Sequence, residues 1–363
     1  MAASIYLDYQ ATTPLAPEAL EAMLPWLSEK HANPHSAHRA GREAAAMVEW
    51  ARDRVAALMP SDGQVIFTSG ATEAINMAVH GVCRDDGRAA YSAIEHAAVI
   101  DAVHGHTAGA KHAIIPVCAD GVLNLAAAEA MIDQSYTLVA VMLVNNEIGT
   151  IQPVAEMAAL AHDHGALMLC DAVQGYGRID IPEVVDMVAI SAHKIHGPKG
   201  IGALWLRDGI ELPPLLHGGG QEQGVRSGTL SPALCVGFGV AAKLAVDRRD
   251  EDAEHVADLA ELARTQFAGW TINGATDTRY PGNLNIRRDG LDVARLISDV
   301  RQVAFSAGSA CASGSGRPSH VLSALGLPRE QITSSIRLGF GRYTSDDEVI
   351  RAAALINAAA DAQ

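Results

Sequence analysis

Residues 64–82 read QVIFTSGATEAINMAVHGV, and this stretch shows how much of the chain is built. It begins with an apolar run at residues 64–69, which has the length and composition of a buried strand. The segment at residues 71–82 has apolar side chains at helical spacing. A strand followed directly by a helix is the repeating unit of a parallel sheet, so this stretch predicts an α/β fold.

The same alternation continues to about residue 206. Further apolar runs predict strands at residues 89–94, 112–117, 138–144, 166–171, 186–191 and 201–206. Helix-like segments separate several of these runs, for example at residues 96–106 and 154–165. We therefore expect a largely parallel sheet with helices packed on its faces.

The pattern changes in the last third of the chain, where strands and helices become shorter. Three strands are predicted there, at residues 283–287, 303–308 and 336–341. Ser345 and Glu348 have the spacing of a capping box that opens a final helix. We expect a large domain of residues 16–254 and a smaller α+β domain formed by residues 1–15 and 255–363.

The composition is that of a globular protein of 363 residues, 49% hydrophobic and 19% charged. Its 27 Lys and Arg residues against 42 Asp and Glu residues give a net charge of −15, which disfavours nucleic acid and anionic membranes as partners. The first residues lack the basic and apolar regions of a secretory signal. The longest apolar run, residues 138–144, is too short to cross a membrane. We expect a cytoplasmic protein.

The sequence contains five cysteines, at positions 83, 118, 170, 235 and 311, and no two of them form a C-x-x-C pair. This usage indicates a reducing compartment and argues against a structural zinc site. Four of them lie in apolar or helical surroundings, which are typical of buried, inert thiols. Cys311 differs because it lies in residues 309–316, SACASGSG, a composition typical of a mobile loop.

Polar residues follow several of the predicted strands. Residues 68–73, TSGATE, open a helix whose free N–H groups suit a phosphate, Asp171 ends another run, and Lys194 follows a third. Singly, these residues have plainer explanations as helix caps or turn residues. A lysine at the end of a buried strand is unusual, however, unless its amine is neutral or covalently used. A Schiff-base lysine, a carboxylate for a pyridinium nitrogen and a phosphate site together predict pyridoxal 5'-phosphate.

Nine segments of the sequence resemble motifs of the cysteine desulfurases of the NifS/IscS type, class V enzymes with the PLP-transferase fold type I. In chain order they read YLDYQATTP, FTSGATEAIN, EHAAV, LVNNEIGTIQP, CDAVQGYG, SAHKIHGPKGIGAL, HGGGQEQGVRSGTLSP, SAGSACASGSG and SSIRLGFGR. The resemblance implies a large domain with a mainly parallel seven-stranded sheet and a smaller α+β domain. It also implies conversion of L-cysteine to L-alanine, with the sulfur passing to Cys311 as a persulfide.

The resemblance further implies roles for individual residues. Lys194 would form the Schiff base and remove the α-proton of the substrate, Asp171 would hold the pyridine nitrogen, and His96 would stack on the ring and shuttle a proton. The other implied contacts are to the phosphate by Ala71, Thr72, Ser191, His193 and, from the partner subunit of a homodimer, Thr229; to the ring oxygen by Asn146 and Gln174; and to the substrate carboxylate by Asn146 and Arg337. An arginine suits this last task because its guanidinium binds a carboxylate through two hydrogen bonds.

Two other functions remain open at this point. The first is a different class V enzyme, a selenocysteine lyase or an aminotransferase, and Cys311 disfavours the aminotransferase. The second is a non-enzymatic sulfur relay or scaffold with this fold, which the presence of Lys194, Asp171, His96 and Cys311 disfavours.

The sulfur acceptor is also open. An iron–sulfur scaffold protein is one candidate, but a single helix-like stretch follows Arg342, where housekeeping members of the family carry a longer tail. Iron–sulfur assembly, tRNA thiolation and DNA phosphorothioation are therefore all possible pathways. No metal site is expected, since the histidines at positions 104, 106, 112, 162 and 164 are predicted to be solvated surface residues.

Overall fold

The computed structural model describes residues 4–84, 87–106, 112–308 and 318–363. The strands are β1 Ile5–Tyr6, β2 Gly63–Thr68, β3 Ala89–Ser92, β4 His112–Ile115, β5 Leu138–Met142, β6 Leu167–Asp171, β7 Met187–Ser191, β8 Gly202–Arg207, β9 Thr271–Ile272, β10 Asn283–Arg287, β11 Val303–Ala304, β12 Ser306–Ala307 and β13 Ser335–Gly339. The helices are α1 Pro17–Ser28, α2 Arg39–Ala56, α3 Ala71–Cys83, α4 Ala97–His106, α5 Leu125–Met131, α6 Val154–Asp163, α7 Pro232–Asp247, α8 Arg249–Gln266, α9 Val293–Asp299, α10 His320–Ala324, α11 Arg329–Thr333 and α12 Asp346–Asp361.

A seven-stranded sheet forms the centre of the molecule, and each of its strands comes from one of the predicted apolar runs. The strand order is β2-β8-β7-β6-β5-β3-β4, and only β8 runs antiparallel to its neighbours. The predicted mainly parallel α/β sheet is thus confirmed. Because β2, β6 and β7 run in the same direction, their carboxyl ends lie at one edge of the sheet, where ligand sites of such folds occur.

Helices cover both faces of this sheet. Successive strand residues point to opposite faces, so Val65 and Phe67 join the core beneath α2, α6 and α7, whereas Ile66 joins the core beneath α3 and α4. Every residue of β5 and β7 is buried. This burial on both faces explains why the strands are continuous apolar runs in the sequence rather than alternating ones.

The smaller part of the molecule has a separate hydrophobic core. It contains a four-stranded antiparallel sheet of order β12-β13-β10-β9 and the parallel pair β1-β11. Ile5 and Leu7 pack in this core with side chains from α8, α9 and α12. The predicted boundaries of the two domains stay a prediction, and the packing of these two N-terminal side chains supports them.

The structure also bears on the predicted capping box and on the expected absence of a membrane-spanning segment. Ser345 and Glu348 form the predicted capping box at the start of α12. No helix in the described part of the chain is long and apolar enough to cross a membrane.

The cysteines differ from the expectation at one position. Cys83, Cys170 and Cys235 are buried, but Cys118 is exposed. The expectation was wrong for Cys118 because this residue lies in a tight turn after β4, where its N–H donates to the Val122 carbonyl at 2.7 Å. Cys311 lies outside the described residues.

Candidate active site

A cavity of about 540 Å³ opens at the carboxyl edge of the seven-stranded sheet. It brings together most of the predicted site residues. Those that line it are Ala71, Thr72, His96, Asn146, Asp171, Gln174, Ser191, His193, Lys194 and Arg337. Thr229 is exposed and does not line this cavity, and Cys311 lies outside the described residues.

Lys194 ends a short 3-10 turn that follows β7 directly. Its Nζ donates to the carbonyl of Gln10 at 2.5 Å and to the carbonyl of Ala11 at 2.9 Å. Its own carbonyl accepts from Arg178 at 2.6 Å. The lysine is therefore held from both ends, and its amine lies in the cavity against the N-terminal segment of the chain.

Asp171 ends β6 and is 5% exposed. Its Oδ1 accepts the Val173 N–H at 3.0 Å. Burial raises the pKa of Asp171, while the nearby His96 and Lys194 lower it. A carboxylate taken out of water in this way gains most from a cationic partner, and a protonated ring nitrogen is such a partner.

Glu95 is a second buried carboxyl group close to Asp171. It is fully buried, and its Oε1 accepts the Met142 N–H at 2.7 Å. Burial, together with the charge of Asp171, raises the pKa of Glu95 well above its ordinary value. Burial thus favours the protonated form of Glu95, whereas the positive charges of His96 and Lys194 favour the ionised form of Asp171.

Each of the two cavity histidines makes a contact through its Nδ1. The Nδ1 of His96 accepts the Ala98 N–H at 3.1 Å, so a neutral His96 carries its proton on Nε2. His193 lies next to Lys194, and its Nδ1 is 3.1 Å from Thr12 Oγ1. Burial, with the charges of Lys194 and Lys199, lowers the pKa of His193 to about 4, so this ring is neutral at physiological pH.

The start of α3 forms the corner of the cavity that suits a phosphate. Ala71 and Thr72 are the first residues of this helix, where backbone N–H groups lack intrahelical partners. Gly70 precedes them and lies against Gly202, where an added Cβ would stand 2.7 Å from the Gly70 Cα. Glycine at position 202 thus lets this loop approach the sheet closely. Ser191, at the end of β7, lines the same cavity.

Arg337 lies in β13 and is 1% exposed. Its NH2 donates to Asp8 Oδ1 at 2.7 Å and its NH1 donates to the Asn146 carbonyl at 3.0 Å. Its Nε is buried and has no hydrogen-bond partner among the residues that the structure describes. A buried donor of this kind in a cavity wall is suited to an anionic ligand, because an unsatisfied buried N–H is costly.

Sequence reasoning missed several residues of this cavity. Gln10, Ala11 and Lys199 line it as well, although all three belong to segments that carry the family resemblance. Asp8, the partner of Arg337, was also missed. These residues gave no separate signal because their role depends on contacts with parts of the chain far away in sequence.

Glu147 is another buried residue beside the site that sequence reasoning did not single out. Ser319, which caps α10, donates to its Oε2 at 2.5 Å. Burial raises the pKa of Glu147 to about 7, against the lowering effects of Ser319, Arg337 and His96. The carboxyl group of Glu147 therefore titrates in the physiological range.

The five histidines that were predicted to be solvated surface residues differ in exposure. His104 and His162 are exposed, as predicted, with Nε2 atoms 2.8 Å from Tyr91 Oη and 2.7 Å from Asp186 Oδ2. The remaining three, His106, His112 and His164, are partly buried rather than solvated. Across the described ranges, no group of three or more His, Cys, Asp or Glu side chains is arranged to hold a metal ion.

The sequence and the structure were each compared with known proteins, and the results agree. Residues 5–351 match the family described as Aminotransferase class-V. The chain is 42% identical to the cysteine desulfurase IscS of Rickettsia bellii, over 97% of this chain and 90% of that protein. It superposes on the structure of a NifS-like protein with a TM-score of 0.91 and 32% identity, covering 99% of this chain and 100% of the other. The structure of SspA in complex with cysteine matches with a TM-score of 0.82 and 33% identity, over 94% and 100% of the two chains.

Proposed function

Because the chain belongs to the class-V aminotransferase family and, within it, to the cysteine desulfurases, we propose that it converts L-cysteine to L-alanine with pyridoxal 5'-phosphate and passes the sulfur to an acceptor. The observation that carries this proposal is the single cavity shared by Lys194, Asp171 and Arg337. It places an amine, a buried carboxylate and a carboxylate-binding guanidinium around one space.

The residues of the cavity fit the cofactor. The N-terminus of α3, with Ala71 and Thr72, would hold the phosphate together with Ser191 and His193. Gln174 and Asn146 would contact the ring oxygen, and Asp171 would hold the protonated ring nitrogen. When bound, pyridoxal 5'-phosphate supplies an imine bond to the Lys194 amine and an electron sink for charge at the substrate α-carbon.

The protein's own residues then bind the substrate and move its protons. Arg337 is the substrate-carboxylate ligand in this proposal. Its NH2 donates to Asp8, and its Nε has no partner within the described ranges of the chain. Asn146 flanks it. In this proposal Lys194 Nζ removes the proton from the substrate α-carbon, and His96 donates a proton through its Nε2 N–H.

Sulfur transfer is assigned to Cys311, which lies outside the described residues. In the proposed step its thiolate attacks the sulfur of the bound L-cysteine. A new S–S bond forms, the carbon–sulfur bond of the substrate breaks, and the electron pair of that bond stays on the carbon, which takes up a proton to give alanine. The persulfide on Cys311 then delivers its outer sulfur to an acceptor protein.

We also propose a homodimer in which Thr229 reaches the phosphate of the partner subunit. Thr229 is exposed, yet its loop is fixed at two points. Glu222 pairs with Arg52 at 2.7 Å, and Arg226 pairs with Glu73 at 2.7 Å beside the phosphate corner. A rigid, exposed loop of this kind suits a contribution in trans.

Mixing two inactive variants tests the shared site. Lys194→Ala and Thr229→Ala chains, mixed under subunit exchange, should form some dimers with one intact site and regain activity. Activity that stays absent after exchange, shown by labelled chains to have occurred, would contradict this arrangement.

A cytoplasmic location and a protein acceptor such as an iron–sulfur scaffold complete the proposal. Persulfide chemistry needs a reduced thiol, and the four cysteines of the described residues are all free, which supports a reducing compartment. The relatives are named cysteine desulfurases, so a selenocysteine lyase or an aminotransferase is not favoured.

Mass spectrometry after addition of L-cysteine tests the function directly. The wild-type protein should gain one sulfur on Cys311. Cys311→Ser should still bind L-cysteine, seen as a change in cofactor absorbance, but should gain no sulfur and produce almost no alanine. Cys118→Ser is the control, since Cys118 is the exposed cysteine among those that the structure describes, and it should behave as wild type. Normal turnover in Cys311→Ser would overturn the assignment and favour a lyase without a protein persulfide.

A further inference from the structure

A second cavity of about 260 Å³ opens elsewhere on the molecule. Residues of α7 and α8 line it, together with three segments at residues 177–179, 279–281 and 341–342. Its volume is just below the roughly 300–1,000 Å³ of pockets for drug-sized ligands. The space therefore suits a smaller molecule.

Positive charge is in excess in the wall of this cavity. Among the described residues, four arginines line it, Arg178, Arg249, Arg279 and Arg342, against one carboxylate, that of Asp252. Arg342 already binds Asp252, with an N–O distance of 2.6 Å. Arg249 pairs with a carboxylate outside the cavity at 2.7 Å.

The remaining two guanidinium groups have no carboxylate partner among the residues that the structure describes. Arg178 donates to the Gln174 carbonyl at 3.1 Å and to the Lys194 carbonyl at 2.6 Å. It also lies over the ring of Tyr280, 5.1 Å from the ring centroid. Its partners are thus carbonyl groups, an amide and an aromatic face, none of which neutralises its charge.

Arg279 is the more deeply placed of the two, at 7% exposed. Its NH1 and NH2 donate to the backbone carbonyls of Ala275, Ile148 and Asn273. Within the described part of the chain, its buried Nε has no partner, nor has the buried NH1 of Arg342 in the same wall. Burial lowers the pKa of Arg279 to about 10, but the group stays charged at neutral pH. A buried cation without an anion is costly, and an anion in this cavity would offset that cost.

The rest of the wall is apolar. Ile151, Ile179, Ile195 and Val256 line the cavity, together with the ring of Tyr280. His196 also lines it, and burial with the charge of Arg342 lowers its pKa to about 3, so it adds no charge at neutral pH. An inorganic anion would satisfy the arginines but leave this apolar surface without contacts.

We propose that this second cavity is a binding site for a small organic carboxylate with an apolar body, recognised by Arg279 and Arg178. The proposal is independent of the reaction in the first cavity. The two sites share a wall, because Arg178 lines the second cavity and donates to Gln174 and Lys194, which line the first.

Calorimetry on the purified holoenzyme, with benzoate as the probe, tests the proposal. Benzoate should bind with one site per chain, whereas benzamide, of the same shape without the charge, should bind at least about tenfold more weakly. Inorganic phosphate should also bind more weakly than benzoate, because it lacks the apolar body. Failure of benzoate to bind, or equal binding of benzamide, would overturn the proposal.

Paired variants locate the bound probe. Arg279→Gln should weaken benzoate about tenfold or more, and Arg207→Gln is its control, since Arg207 also donates to backbone carbonyls but lies outside the cavity. Ala253→Leu is a second variant, which tests the proposal even if Arg279→Gln does not fold. Ala253 is an exposed residue of α8 that lines the cavity, and Ala257 is an exposed residue of the same helix that does not.

Ala253→Leu should weaken benzoate binding and Ala257→Leu should leave it unchanged. Binding that survives both cavity variants but is lost in Arg337→Gln would place benzoate in the first cavity, and the proposal would be wrong.

Discussion

The two cavities are separated by a wall that contains Arg178, yet they treat charge differently. In the first, charges of both signs come close together, as in the pair of Arg337 with Asp8 at 2.7 Å and in Asp171 near Lys194. In the second, two arginines have no carboxylate partner in the described part of the chain. The first cavity thus resembles a site built around particular reacting groups. The second has positive charge that an anionic ligand would neutralise.

This difference indicates what each site depends on. A reaction needs a given amine or guanidinium at a given atom, so the first cavity should fail when one group is changed. Binding of an anion needs positive charge and apolar surface, which several residues of the second cavity share. Changes in the first should therefore have the larger effects.

The largest expected effect is that of Lys194→Ala. This variant should lose the covalent bond to pyridoxal 5'-phosphate and all turnover of L-cysteine, although the cofactor could still bind non-covalently at α3. Borohydride reduction followed by mass spectrometry measures the bond. Lys199→Ala is the control, since Lys199 lines the same cavity and is exposed. A reducible protein–cofactor bond that persists in Lys194→Ala would contradict the assignment.

Arg337→Gln should have the next largest effect. It removes a buried charge from the proposed carboxylate site, a change worth roughly 2–5 kcal/mol, so kcat/KM for L-cysteine should fall about thirtyfold or more, mainly through KM. Arg337→Lys should recover part of this loss because it retains the charge but not the two-pronged geometry. Steady-state kinetics at a pH where the variants are folded measures both. A normal KM in Arg337→Gln would remove Arg337 from the substrate site.

Glu147→Gln should alter the pH dependence of stability. The pKa of Glu147 is about 7 in the folded protein and about 4.5 when unfolded, so its protonated form stabilises the fold below pH 4.5 and this stabilisation is lost as the pH rises through 7. The loss between pH 5 and pH 8 is on the order of 2–3 kcal/mol. Glutamine cannot ionise but can still accept a hydrogen bond from Ser319. The free energy of unfolding of the variant should therefore not fall by this amount between pH 5 and pH 8.

Urea unfolding of both proteins at pH 5, 6, 7 and 8 gives the comparison. The difference in unfolding free energy between the two proteins reports on Glu147 alone. Glu95, Asp171 and His193, whose pKa values are also shifted, are present in both proteins. A constant difference across this range would show that Glu147 does not titrate there.

The smallest expected effect concerns the second cavity. The shifted pKa values of His196, about 3, and Arg279, about 10, both lie outside the range from pH 6 to pH 8. The affinity for benzoate should therefore change by less than about twofold over this range. Calorimetry in three buffers is sufficient to test this, and a change of fivefold or more would show that another group in the wall titrates.

The sequence predicted the parts of the active site that lie at strand ends. Lys194 and Asp171 follow continuous apolar runs, and the parallel arrangement of β6 and β7 brings such ends together. Arg337 was expected to bind the substrate because of the family resemblance and the chemistry of arginine. Its burial and its pairing with Asp8 had no sequence signal, since the two residues are 329 positions apart.

The second cavity could not have been predicted. Its arginines are scattered from residue 178 to residue 342, and none belongs to a local pattern that indicates an anion site. Only the packing of α7 and α8 against distant segments places them in one wall. Cys118 shows the same limit on a smaller scale, because an apolar run before it did not predict the turn that exposes it.

The contact of Lys194 with the N-terminal segment has a consequence for biosynthesis. Ile5 and Tyr6 pair with Val303 and Ala304, so the first strand has no partner until most of the chain has left the ribosome. During translation, at about 5–20 residues per second, the sheet that carries Lys194 is synthesised well before these partners. The carbonyls of Gln10 and Ala11 reach the Lys194 amine only after this closure. We therefore expect the Lys194 amine of a nascent chain to reach its final contacts late, when the small domain has folded around the N-terminal strand.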